Sequence, residues 1–305
     1  MKFIKNNIVK ILSIVFVVLL GFYVCGFGIT KARDFEIYKE PNIETKIYTV
    51  WHIETFEGGG KSRIKYLNNI ARNIEKNNPG TLFVVKQINP ENVANSLENS
   101  IPDIISFGYG LGGEILSHLA SLDKTYNVRD DLVNSGCFNG QVYALPYIVS
   151  GYSMITHGVL TDNIHCGTTN YTKPENIYNS LNYKIAETES QYEAYKDFVY
   201  NKSVSLLGTG RDVYRVNNLN STGRLNAIIT PISCYTDLIQ YIGITKTDDI
   251  ISSFLAQVFS TENQNKLTEY SLFSSLYNKI YQSGIYNNME DAIFECVVPN
   301  VFYEN

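Results

Sequence analysis

The stretch from Lys46 to Gly80, KIYTVWHIETFEGGGKSRIKYLNNIARNIEKNNPG, most constrains what this chain folds into. Ile47, Tyr48, Val50 and Trp51 predict a short strand, and Glu57-Gly58-Gly59-Gly60 a tight turn. Ser62 follows as a candidate N-cap. Ile64, Leu67, Ile70, Ala71 and Ile74 recur at helical spacing and make one apolar stripe. Pro79 disfavours helix at Asn78, so the helix stops there, and Gly80 supplies the reversal. Strand, glycine loop and helix form the first half of a βαβ unit. Such a loop sets backbone N–H groups and a helix N-terminus at one end of a sheet, where polar or anionic ligands are held.

The segments that follow extend the pattern. Leu82-Phe83-Val84-Val85 predicts a strand covered on both faces. Asn89-Pro90 opens a short helix with Val93 and Leu97 on its inner side, and Ile104-Ile105 with Phe107 form a third strand. The βαβαβ order implies parallel pairing. Further strands are expected at Tyr152 to Thr156, Val204 to Leu207 and Ala227 to Ile229, with helices at Gln191 to Val199 and Asp248 to Ser260. Residues 158–190 read as irregular apart from one helix from Pro174.

The first 30 residues stand apart. Lys2, Lys5 and Lys10 precede an uncharged run from Ile11 to Thr30. This is the pattern of a secretory signal peptide or of a retained membrane anchor, with the rest of the chain outside the cytoplasm. Cys25 sits where a lipid-anchored cysteine could, without the small residues such sites need. Setting the leader aside with its three lysines leaves 22 of the 25 basic residues against all 30 acidic ones. That acidic balance argues against nucleic acid as a partner. Cys137, Cys166, Cys234 and Cys296 follow no metal-ligand spacing.

Several motifs are weighed for chemistry. Gly60-Lys61-Ser62 lacks the earlier glycine of a phosphate loop, because Thr55 stands there. Gly108-Tyr109-Gly110-Leu111-Gly112-Gly113 fits the dinucleotide fingerprint, with Asp130 and Asp131 downstream, yet it follows the third strand instead of the first. Glu54 and Glu57 could form a glycosidase pair, or simply be solvated charges. Trp51, at the expected carboxyl end of its strand, is either core or a stacking platform.

Five segments then resemble one family. Val50-Trp51, Phe56-Glu57-Gly58-Gly59 and Glu75-Lys76-Asn77-Asn78-Pro79-Gly80 are similar to the opening of extracellular solute-binding proteins of the maltose-binding-like kind, the capture subunits of ABC importers. Pro102-Asp103-Ile104-Ile105-Ser106-Phe107-Gly108 resembles that family's third strand. Gly140-Gln141-Val142-Tyr143-Ala144-Leu145-Pro146-Tyr147 resembles its crossing into a second lobe. Leu206-Leu207-Gly208-Thr209-Gly210-Arg211-Asp212 resembles its late strand and turn, and Phe254-Leu255 with Ser260-Thr261-Glu262-Asn263-Gln264 its paired helices. The resemblance covers about residues 45–280, with a second-lobe segment at 158–195 shorter than the family's.

It implies a two-lobed α/β fold of parallel and mixed sheets flanked by helices, with a hinge and a cleft. Residues 1–30 would be the signal or anchor and 31–43 a linker. Residues 44–147 with 231–275 would form the first lobe, 148–230 the second, and 276–305 C-terminal helices. The expected function is capture of a small solute, a carbohydrate by resemblance, for delivery to importer membrane subunits, with no catalysis and no cofactor. The N-terminal segment would tether the protein to the membrane. The alternatives are a tethered receptor of the same fold without transport, and an extracellular glycosidase. Expected ligand-binding residues are Trp51, Glu54, Glu57, Gly58, Tyr109, Tyr147, Tyr152 and Arg211.

Overall fold

A computed structural model describes residues 15–25, 44–158 and 164–303. Residues 1–45 and 46–305 form separate compact units. In the first, residues 15–25 are helical and expose Phe16, Leu19 and Phe22. Among the described residues, no helix is long and apolar enough to cross a membrane. Most of the expected anchor and the whole 31–43 linker lie outside the described residues.

The second unit is built on two sheets. The strands are, in order, β1 (Lys46–Ile53), β2 (Thr81–Ile88), β3 (Ile104–Gly108), β4 (Cys137–Phe138), β5 (Gln141–Val142), β6 (Ala144–Val149) and β7 (Tyr152–Thr156). There follow β8 (Ile164–Thr168), β9 (Ile185–Ser190), β10 (Ser205–Thr209), β11 (Ile228–Pro231), β12 (Ile239–Ile244) and β13 (Phe273–Ser274). One sheet runs β13-β6-β12-β3-β1-β2, the other β11-β7-β10-β8-β9, and β4-β5 is a small hairpin.

The first three strands pair in parallel, as their βαβαβ order requires. The helix Ile64–Asn77 buries Leu67, Ile70, Ala71 and Ile74, and ends before Gly80, whose φ is +83°. Its start differs from expectation. Ser62 does not cap it; the cap position is Arg63, which makes no side-chain capping bond. The Arg63 side chain is drawn instead into a buried polar network, described below. β2 also differs. It is an edge strand, so only Phe83 is buried and Leu82 stays exposed.

The largest departure is in residues 158–190, which contribute two strands of the second sheet. β8 lies parallel to β10, and β9 parallel to β8. Neither carries an apolar run: β8 reads IHCGT and β9 reads IAETES. Two of the fingerprint glycines, Gly108 and Gly112, serve packing. A Cβ at Gly112 would stand 1.9 Å from the Val301 carbonyl oxygen, so this turn needs glycine whether or not a nucleotide approaches.

Candidate functional site

The two sheets meet where the loop after β1, residues 54–62, packs on the helix Gly210–Ser221 that follows β10. Both sides are fixed locally. In the helix, Thr209 and Asp212 form a capping box: the Thr209 N–H donates to Asp212 Oδ2 at 2.9 Å, and Arg211 N–H donates to Thr209 Oγ1 at 3.2 Å. This holds Arg211 at the helix start. In the loop, Gly59 has φ +64°, and a Cβ there would sit 2.2 Å from the Tyr270 carbonyl oxygen. Gly59→Ala is therefore expected to lower stability by about 2 kcal/mol, read as a shift of the urea midpoint.

Four contacts bridge the seam. Arg215 Nη1 lies 3.0 Å from Glu57 Oε2. Arg211 Nη1 donates to the Gly59 carbonyl at 2.9 Å, the Glu57 N–H donates to Gln191 Oε1 at 3.1 Å, and Thr169 Oγ1 donates to the Thr55 carbonyl at 2.9 Å. Beside them is an open cavity of about 260 Å³ lined by Glu54, Glu57, Gly58, Lys61, Ser62, Arg63 and Arg211. Thr55 Oγ1, Ser150 Oγ and Gln191 Nε2 are buried along the same seam without a hydrogen-bond partner among the described residues. A larger cavity, about 370 Å³, lies between the helix Ile64–Asn77 and residues 263–270. It borders the first cavity through the Lys61–Glu269 contact at 4.0 Å, but none of its lining residues belongs to a strand.

Behind the cavity is a polar network that the sequence does not disclose. Burial lowers the pKa of His52, so the ring is neutral. Its Nε2 lies 2.9 Å from Glu54 Oε1 and its Nδ1 2.9 Å from Ser106 Oγ. A carboxylate only accepts, so Nε2 carries the proton and Nδ1 accepts from Ser106. Ser106 Oγ in turn accepts from Gln240 Nε2 at 2.9 Å and lies 2.9 Å from the Tyr147 hydroxyl. Arg63, only 2% exposed, donates to Glu54 at 3.2 Å, to Gln240 Oε1 at 3.2 Å and to the Phe56 carbonyl at 2.5 Å.

The Ser106–His52–Glu54 arrangement has the members of a nucleophilic triad, but Ser106 is wholly buried and saturated with partners. Burial pushes Glu54 up, yet the His52 hydrogen bond and Arg63 outweigh it and hold its pKa down at about 2. A general acid needs the opposite shift. The buried Ser106 is thus no nucleophile, and the low pKa of Glu54 argues against it as the general acid of a glycosidase pair.

Of the expected site residues, the structure brings Glu54, Glu57, Gly58 and Arg211 to one cavity. The four aromatic residues are not among its walls. β1 runs two residues past Trp51 to Ile53, so Trp51 is not at the strand's end; it is 5% exposed and lies in the core. Tyr109 is also in the core. Tyr147 is fully buried and stacks on Tyr66, and Tyr152 is buried with its hydroxyl donating to Asp237 Oδ1 at 2.7 Å. Stacking platforms at these positions would require faces that the core already covers. Among the described residues, no cluster of three or more His, Cys, Asp or Glu side chains has a metal-site arrangement.

Two buried aspartates flank the seam. Burial raises Asp212 to about 6 and Asp237 to about 6. A carboxyl with a raised folded-state pKa holds its proton more tightly when folded. Its contribution is therefore full at low pH and is lost as pH rises through about 3.8 to 6. Urea midpoints measured against pH are expected to fall across this window, and the fall should flatten in Asp237→Asn.

Comparison with known proteins supports the same fold. No protein-family model matches the chain, and no curated protein matches it by sequence. Solved structures do match. The GacH receptor of Streptomyces glaucescens, studied unliganded and in complex with acarbose, is 13% identical with a TM-score of 0.60, over 83% of this chain and 87% of that one. The maltose-maltodextrin binding protein of Alicyclobacillus acidocaldarius is 11% identical with a TM-score of 0.57, over 84% and 90%. Iron-bound HitA from Pseudomonas aeruginosa is 10% identical with a TM-score of 0.53, over 80% and 92%. The chain thus has the two-lobed fold of maltose-binding-like solute-binding proteins. Because sugar and iron binders both share it, the ligand has to be argued from the residues.

Proposed function

We propose that this protein captures a small carbohydrate outside the cytoplasm for an ABC importer, with Glu54, Glu57, Gly58 and Arg211 among the groups that hold it. The observation that carries the reading is the seam. It holds an open polar cavity walled by Glu54, Glu57, Lys61, Ser62, Arg63 and Arg211, and Thr55, Ser150 and Gln191 atoms buried outside that wall lack partners among the described residues. Each such group costs about 1–3 kcal/mol unpaired. A solute rich in hydroxyls satisfies donors and acceptors together. The neighbouring structures with acarbose or maltodextrins in their names support the same class. Lobe opening at a hinge would admit the solute, with the Arg215–Glu57 pair and the Arg211–Gly59 bond breaking and re-forming. The N-terminal segment would keep the protein at the membrane beside the importer subunits.

Thermal-shift screening of the full-length protein against sugars, amino acids and peptides tests this. A sugar at about 100 times its Kd adds roughly 2.7 kcal/mol of stability. A response confined to amino acids or peptides would refute the carbohydrate reading. Loss of uptake of the same sugar on deleting the gene tests the importer role.

A further inference from the structure

We infer that the solute at the seam carries a carboxylate, as a hexuronate does; this rests on the sugar-binding reading above. The cavity's charged side chains do not cancel. Glu54 is already held by Arg63 at 3.2 Å and His52 at 2.9 Å, and Glu57 by Arg215 at 3.0 Å, a residue outside the cavity wall. Each carboxylate of the wall thus faces a cation, Arg215 being shared with Asp212 Oδ1 at 3.4 Å. Arg211 and Lys61 remain.

The Arg211 guanidinium gives one N–H to the Gly59 carbonyl and lies over the Tyr214 ring, with no carboxylate partner among the described residues. Lys61 is 54% exposed, and its carboxylate neighbour, Glu269, is 4.0 Å away and itself exposed. Arginine presents five donors in a planar fork that matches a carboxylate with two parallel bonds, and these are the stronger, charge-assisted kind. The cavity wall has no aromatic ring. A neutral sugar would therefore find nothing to cover its apolar face. A hexuronate suits the wall better: its carboxylate lies against Arg211 and Lys61, and its hydroxyls donate to the ionised Glu54.

The test is calorimetric titration of the full-length protein with matched pairs, glucose against glucuronate and galactose against galacturonate, together with malate as an acid that is not a sugar. A hexuronate is expected to bind at least ten-fold more tightly than its neutral partner. The exposed Lys61→Gln should remove most of that preference without changing the weak affinity for the neutral sugar, and Arg211→Gln should remove it while also weakening the neutral sugar, because Arg211 lines the cavity. Lys61→Gln guards against a folding defect at Arg211. Equal affinity within each pair, or binding of the neutral sugar alone, would overturn the inference and leave the sugar reading intact. Malate binding as tightly as the hexuronates would overturn the sugar reading. Absence of heat with every member would overturn both.

Discussion

Replacing Arg63 with alanine should cost about 3–5 kcal/mol of unfolding free energy, the range for breaking a buried ion pair from one side. Arg63 is one of the largest fully buried side chains among the described residues, and its guanidinium serves Glu54, Gln240 and the Phe56 carbonyl at once. Alanine leaves those three acceptors without their donor and leaves the neutral His52 as the remaining partner of Glu54. The loss should be larger than that of an exposed pair such as Lys266–Glu262. Urea unfolding of Arg63→Ala and Lys266→Ala side by side measures the difference. A loss under about 1 kcal/mol for Arg63→Ala would show that water reaches the network and replaces the guanidinium.

Trp51→Ala is the second large effect. With Trp51 only 5% exposed and in the core, the substitution removes a bulky side chain from packed surroundings. Its expected cost is about 3–5 kcal/mol. Because Trp51 is absent from the cavity wall, ligand affinity of the protein that remains folded should be unchanged. Thermal unfolding gives the first quantity and calorimetry the second. A stable variant that had lost affinity would move Trp51 from core to site.

The sequence shows those parts of the molecule whose physics is local. The apolar stripe of the helix Ile64–Asn77, its stop before Gly80 and the buried run of β3 all follow from spacing within a few residues. β8 and β9 are hidden because their strand character comes from pairing beside β10, not from apolar residues of their own. The site divides in the same way. Glu54, Glu57 and Gly58 share one short loop and can be picked out together. Arg63 and Gln240 are joined across 177 residues, and Tyr152 and Asp237 across 85, so no pattern in the chain announces either contact. Trp51, Tyr147 and Tyr152 mislead for a related reason. An aromatic near a strand end suits a ligand platform or a core equally well, and only the packing around it decides.

Calorimetric titration of the full-length protein and of Glu54→Gln with sugars and their uronates tests the central claim most directly. The account predicts saturable binding of at least one sugar, weakened ten-fold or more in Glu54→Gln molecules that remain folded. Equal affinity in the two proteins, or no saturable heat with any sugar, would contradict it.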